Sequence, residues 1–208
     1  MRKKYVLGVF VTALFAAALL SGPIMSDVEQ ASYKVVKSDG NIEIRDYAPM
    51  IMAMCEVSGE RKAAIGDGFR IIASYIFGNN IGNNTIAMTS PVMQETGQKI
   101  AMTAPVTQQG DGDRWTVGFV MPSHYTMDSL PKPVNQDVKL IEVPRKRYAA
   151  IRFSGLGSDD ALKQREGELR SYLDQHHYMP IGLPTYAFFN PPWTVPFLRR
   201  NEVMLEIQ

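Results

Sequence analysis

Residues 42–59 and 138–155 align without a gap at a shift of 96. Ile42 and Ile44 fall on Val138 and Leu140, Ala53 falls on Ala149, and Val57-Ser58-Gly59 falls on Phe153-Ser154-Gly155. Each passage opens with apolar residues at alternate positions, the period of a strand, and closes in an extended run ended by Ser-Gly. A chain that carries the same extended passage twice folds as two related halves, and any model of it has to give both passages equivalent places.

Both passages lead into helical patterns. Ile65, Phe69, Ile72 and Ile76 are spaced by four, three and four, one apolar stripe that ends near Gly78. Leu162, Leu169 and Leu173 repeat the stripe at a shift of 97, with Glu166 where Phe69 stands in the first. That substitution predicts different surroundings for the two helices, the first being the more apolar. Strand patterns resume after each helix, at residues 115–121 in the first half and at residues 186–189 and 202–207 in the second. Two halves of order strand, strand, helix, strand, strand predict an α+β fold with one sheet system, curled toward an open barrel with a helix of each half on its outside.

A shorter repeat lies inside the first half. Ile86-Ala87-Met88-Thr89-Ser90-Pro91-Val92 returns as Ile100-Ala101-Met102-Thr103-Ala104-Pro105-Val106. Proline pushes the residue before it toward extended geometry and donates nothing to a sheet, so each copy reads as a short strand ended by proline. The segment between them contains Gly97 and suits a hairpin turn, which would put Met88 and Met102 at equivalent, soft, apolar positions. Met50, Met52 and Met54 alternate as well, on one face of a strand.

The N-terminus follows different rules. Arg2-Lys3-Lys4 precedes an apolar run at residues 5–20, the order of an export signal, so residues 1–25 read as a signal peptide or an N-terminal membrane anchor and residues 26–208 as one domain. Its pseudo-repeats cover residues 33–110 and 113–208. Cleavage and retention both remain open; either way the domain is exported, to the periplasm or another extracytoplasmic space, and in the anchored case the basic end stays inside. Without the three leader cations, 19 basic residues face 21 acidic ones, a balance with no basic field for nucleic acid. Cys55 is the single cysteine, so an exported domain is held by its core and not by an internal disulfide. Within an apolar run it reads as a buried small hydrophobe.

Several motifs in order carry a family resemblance: Tyr75-Ile76-Phe77-Gly78-Asn79-Asn80, the doubled Ile-Ala-Met-Thr-x-Pro-Val, residues 115–122, Phe153-Ser154-Gly155, Asn190-Pro191-Pro192 and Arg199-Arg200-Asn201-Glu202-Val203. The chain resembles the SOUL heme-binding family from about residue 33 to residue 207. The resemblance implies duplicated βαββ-type halves forming a distorted, partly open β-barrel flanked by two helices, similar to gyrase-inhibitor-like effector-binding domains. It also implies a non-covalent ligand, heme or another tetrapyrrole, in a hydrophobic cleft beside the first helix. Members with an apolar cleft carry arginine and methionine on that helix face, where this chain has Gly66, Phe69 and Ala73.

The candidate ligand-binding residues are therefore Ile65, Phe69, Ile72, Ala73 and Ile76 on the helix, with Met88 and Met102 from the repeat. A flat apolar wall with a stacking ring suits a porphyrin, and the same stripe suits ordinary core. His124 follows a strand, in a loop, and is the candidate iron ligand, whereas His176 and His177 close the second helix, where the negative helix end accounts for them. Arg199 and Arg200 are placed to bond turn carbonyls and pair with acids across the sheet, with a ligand carboxylate as the other partner. Trp115 and Trp193 both read as core. No metal-ligand pair, nucleophile elbow or phosphate loop occurs, so the expected role is binding and not catalysis: heme or a related tetrapyrrole for buffering or transfer, or else other amphipathic small molecules, with an enzyme acting on a bound molecule as the remaining reading.

Overall fold

The computed structural model describes residues 28–82 and 97–208. Eleven strands and two helices follow one another as β1 (Tyr33–Asp39), β2 (Ile42–Tyr47), β3 (Met50–Ser58), α1 (Arg61–Ile76), β4 (Asn80–Ile81), β5 (Val106–Asp111), β6 (Arg114–Val120), β7 (Lys132–Pro133), β8 (Lys139–Val143), β9 (Lys146–Phe153), α2 (Asp159–Gln175), β10 (Pro180–Phe188) and β11 (Asn201–Ile207). Nine of the strands form one antiparallel sheet in the order β1-β2-β9-β11-β10-β5-β6-β3-β8, and β4 and β7 pair separately.

This order contains an exchange. β2 and β3 are separated by two residues, yet β2 pairs with β9 of the second half, and β8 pairs with β3 of the first. The repeat shift of 96 converts one register into the other: Ile44 opposite Ala149 becomes Leu140 opposite Ala53. Each repeated passage thus gives its first strand, β2 or β8, to the other half. Gly59 and Gly155, which end the repeated passages, both have positive φ, 117° and 112°, a geometry that side chains with a Cβ rarely adopt.

One face of the sheet is sealed by the helices. α1 lies on β3 and β6, and Gly68 lets it come close, because a Cβ there would meet Val117 Cγ2 at 2.5 Å. Its core includes Ile72, Ile76, Cys55, Val117 and Phe119. α2 lies on β9, β10 and β11, with Leu162, Leu169 and Leu173 buried against Ile44, Ile151, Val203 and Leu205. Glu60 caps α1 through the amides of Lys62 and Ala63, Ser158 caps α2 through that of Ala161, and Arg61 at the start of α1 is ion-paired with Asp159 at the start of α2.

The sheet is open, with β1 and β8 as edges, in keeping with the partly open arrangement expected, and no closed barrel forms among the described residues. Two expectations are corrected. The second copy of the short repeat is not a strand: Ala104 makes an isolated bridge to Gln30 of the strap, the Thr103 hydroxyl donates to the Val120 carbonyl of β6, and β5 begins at Val106, after the proline. β5 instead forms its hairpin with β6, and the first copy, including Met88, lies outside the described residues. Trp193 is 66% exposed, in the proline-rich loop, whereas Trp115 is buried as expected. The leader also lies outside the described residues, among which no helix is long and apolar enough to cross a membrane.

Candidate ligand-binding site

The face turned away from the helices is concave. The period of two sends Met50, Met52 and Met54 of β3 to that side and Ile51, Ala53 and Cys55 to α1. Every strand of the large sheet adds at least one residue to the same hollow: Tyr33, Tyr47, Lys146 and Tyr148, Met204, Thr185, Thr107 and Gln109, Thr116 and Val120, and Val143 complete the circuit from one edge to the other. Lining by all nine strands requires strong curling, although the edges do not join. The hollow measures about 170 Å³. It shares Gln30, Ala31, Met50, Val120 and Val143 with a wider trough of about 760 Å³ that reaches Ser123, Tyr125 and Arg145.

One wall is aromatic. Tyr33 and Tyr47 lie 5.0 Å apart between ring centroids, and Tyr148 meets Tyr47 edge-on at 5.6 Å. Beneath them runs a buried ionic network. Arg45 (2% exposed) makes two bonds to Glu202 (0% exposed), Nη1 to Oε2 at 2.6 Å and Nη2 to Oε1 at 3.0 Å, while its Nε bonds Glu43 at 2.7 Å. Arg200 also donates to Glu202, at 2.9 Å, and its guanidinium lies 3.8 Å from the Phe189 ring centroid. Burial would lower the Arg45 pKa, but the bonds to Glu202 outweigh it and hold the guanidinium above its ordinary value. Burial likewise pushes the Tyr47 phenol up to about 12, so it stays protonated across the physiological range.

A short N-terminal strap, residues 28–32, crosses one end of the hollow. Ala104 N–H donates to Glu29 O at 2.9 Å, Ser123 N–H to Glu29 Oε1 at 2.7 Å, Ala48 N–H to Ser32 O at 3.0 Å, and Arg200 Nη1 to Gln30 Oε1 at 3.1 Å. Bonds from Ser123 hold the Glu29 carboxyl below the usual carboxylate value.

The helix stripe stands elsewhere. Ile72, Ala73 and Ile76 are buried in the α1 core, and Ile65 is half-buried on the same helix. Phe69 is 37% exposed with its ring 5.5 Å from that of Phe119, on the helix side of the sheet. None of these lines the hollow or the trough. Met102 is half-buried and His124 exposed; neither lines a cavity, although Ser123 and Tyr125 on either side of His124 line the trough. Arg199 bonds the carbonyls of Thr194 and Pro192, the role expected for it. Among the described residues no group of three His, Cys, Asp or Glu side chains is placed to hold a metal.

The tyrosines, Phe189 and Met204 were not legible as a site. The tyrosines and Met204 are single alternate positions on separate strands and Phe189 follows the end of β10, and only the curl of the sheet assembles them. The alternating methionines were the one available signal.

A family model described as SOUL heme-binding protein matches residues 28–206. The chain belongs to that family. Among solved structures, the SOUL chain is similar to the C-terminal domain of EcmrR, with a TM-score of 0.56 at 10% identity over 85% of this chain and 98% of that one. It is also similar to a hydrolase from Listeria innocua, with a TM-score of 0.53 at 12% identity over 83% and 94%. At such identities the likeness shows the fold alone, an open antiparallel sheet with two helices. No curated protein matches the chain.

Proposed function

We propose that this SOUL-family chain is an exported protein that binds a tetrapyrrole, heme or a relative, against the concave face of its sheet, for buffering or transfer. The observation that carries the reading is the continuity of the thioether- and aromatic-lined hollow with the trough in a chain of this family. Small-molecule sites usually occupy about 300–1,000 Å³, so the hollow alone is too small and the trough supplies the room.

The residues fit the ring better than they fit its iron. Methionines and tyrosine faces offer apolar, polarizable surface, and Lys146 and Arg145 at the rim suit the carboxylates of a tetrapyrrole. The linings contain no imidazole or thiolate, and Tyr47 keeps its proton. Bound heme would supply Lewis-acidic, redox-active iron; this chain's residues hold the ring, exclude water from it and pair with its carboxylates. Were heme bound, His124, exposed between the trough residues Ser123 and Tyr125, would be the residue to hold its iron.

Two further readings have observations behind them. The exposed ring of Phe69, with Phe77 also exposed at the end of α1, favours contact on the outer face of that helix. The small volume of the hollow favours an amphipathic ligand smaller than a porphyrin. Titration of the full chain with hemin and with iron-free protoporphyrin separates them. On the leading reading both saturate near one per chain, Thr116→Trp weakens both at least tenfold, Phe69→Glu leaves them unchanged, and His124→Ala moves only the hemin Soret band. Loss with Phe69→Glu and not Thr116→Trp transfers the site to α1. Unsaturable uptake of both porphyrins, with thermal stabilisation by other amphiphiles, replaces the tetrapyrrole.

A further inference from the structure

We infer that Trp193, Phe197 and Leu198 of the loop between β10 and β11, with Leu156 of the loop between β9 and α2, form a surface that seats the domain on a lipid bilayer. All four side chains are exposed among the described residues, Leu156 at 69%, Trp193 at 66% and Phe197 at 62%. The two loops are pinned together, since Gly155 N–H donates to Pro196 O at 2.9 Å and Asn201 Nδ2 donates to Gly155 O at 3.1 Å. Neither residues 190–198 nor residues 154–158 contain a charged side chain.

The internal repeat shows that the fold does not require this loop. β5 and β6 hold the places in the first half that β10 and β11 hold in the second, and Gly112 and Asp113 alone join them, whereas the second half uses residues 189–200. The longer loop is braced from within. Arg199 bonds the carbonyls of Thr194 and Pro192, the N–H of buried Thr194 bonds Pro191 O at 3.0 Å, and Leu198 N–H bonds Val195 O at 2.9 Å. Pro191, Pro192 and Pro196 have no N–H to desolvate. A loop of this kind tipped with Trp, Phe and Leu suits the headgroup level of a bilayer, where an indole finds partners for both its apolar body and its polar tip.

The chain's own N-terminus favours a bilayer as the occupant. Val28, where the described structure begins, packs on the cluster that contains Phe189, the residue before the proline-rich run, and Gln30 accepts a bond from Arg200, just after it. The apolar run read as a membrane anchor ends at residue 20, and residues 21–27 span at most about 25 Å when fully extended. A tether that short brings the rim beside Val28 to the membrane ahead of the far end of β10, where Met179, Ile181 and Leu183 are also exposed. The inference rests on the anchored reading of the leader and is independent of the tetrapyrrole.

The test uses the full chain labelled with fluorotryptophan and reconstituted in phosphatidylcholine nanodiscs, with and without a lipid that carries a nitroxide near the acyl carbonyl. The two tryptophans give two ¹⁹F resonances, buried Trp115 serving as the internal control and Trp193→Phe assigning the other. The expected result is that the spin-labelled lipid removes roughly half or more of the Trp193 intensity and leaves that of Trp115. Leu156→Ser with Phe197→Ser should abolish most of that loss, with the chain still in the discs and a cooperative melt retained. A chain that stays in the discs with Trp193 unaffected overturns the surface and leaves the anchor standing, whereas a chain that elutes apart from the discs overturns both. Equal loss at both tryptophans, or a Trp193 shift that follows the chain-to-lipid ratio without any effect of the spin label, also overturns it, the latter assigning the patch to a second copy. Hemin titration of the serine pair should match that of the parent chain, so either function can fail without the other.

Discussion

The two faces of one sheet are built to different rules. On the helix side, Ile44, Ile151, Val203, Leu205 and Leu169 are fully buried, interlocking aliphatic groups that leave no room for anything else. On the concave side, methionine, tyrosine and threonine surround space, and the deeply buried groups include a charged pair, Arg45 and Glu202. Apolar packing contributes in proportion to the area it removes from water, about 25 cal/mol per Å², so the helix side supplies stability and the other side can forgo it. A cavity is where a fold gives up packing, and here that loss is confined to one face.

The largest effect expected on the concave face comes from its ionic floor. Glu202→Leu leaves Arg45 buried without its main partner and should cost about 3–5 kcal/mol in chemical denaturation, whereas Arg45→Met with Glu202→Leu should recover most of that. A double variant as unstable as the single one would show that the pair does more than neutralise itself. Next comes the helix side: Leu169→Ala should cost about 3 kcal/mol while leaving ligand affinity per folded molecule unchanged. An affinity that fell with it would break the division between faces. Gly68→Ala should cost about 2 kcal/mol, because the new methyl meets Val117 and α1 must move off the sheet. Met52→Leu, on the concave side, should cost below about 1.5 kcal/mol in the same assay and yet alter binding.

The smallest effect is a pH dependence of the strap. The folded Glu29 carboxyl titrates below its ordinary value of 4.5, so its contribution is complete above that pH and is lost as the pH falls through the lower folded value. Amide exchange at Ala104 and Ser123, corrected for the intrinsic rate, should accelerate only on that acid side, and Glu29→Gln should abolish the step.

What could be read in the chain follows the same division. The helix stripes, the final strand and the buried Cys55 were legible because a single period declares which side faces the core. β3 was legible as a strand, but with methionines on one face and Ile51, Ala53 and Cys55 on the other, its alternation of two apolar kinds does not tell core from cavity. Arg45 and Glu202 are 157 residues apart, and neither looks buried in its local context. The proline that was read as ending the second short motif in fact precedes a strand, since a proline outside the ladder costs no hydrogen bond. The repeat implied equivalent places for β3 and β9; it could not say that β2 and β8 would trade sides, because two strands joined by two residues ordinarily form a hairpin.

That trade has a consequence for ancestry and engineering. A chain of one half alone would leave the outer edge of its second strand bare, and two such chains lending each other their first strands would rebuild this sheet as a two-fold dimer. Joining the copies end to end makes assembly independent of concentration and frees the copies to diverge, so that one strand carries three methionines where its counterpart carries lysine, tyrosine and alanine. Cutting the chain between β6 and β8 should accordingly yield fragments that are incomplete singly and fold when mixed.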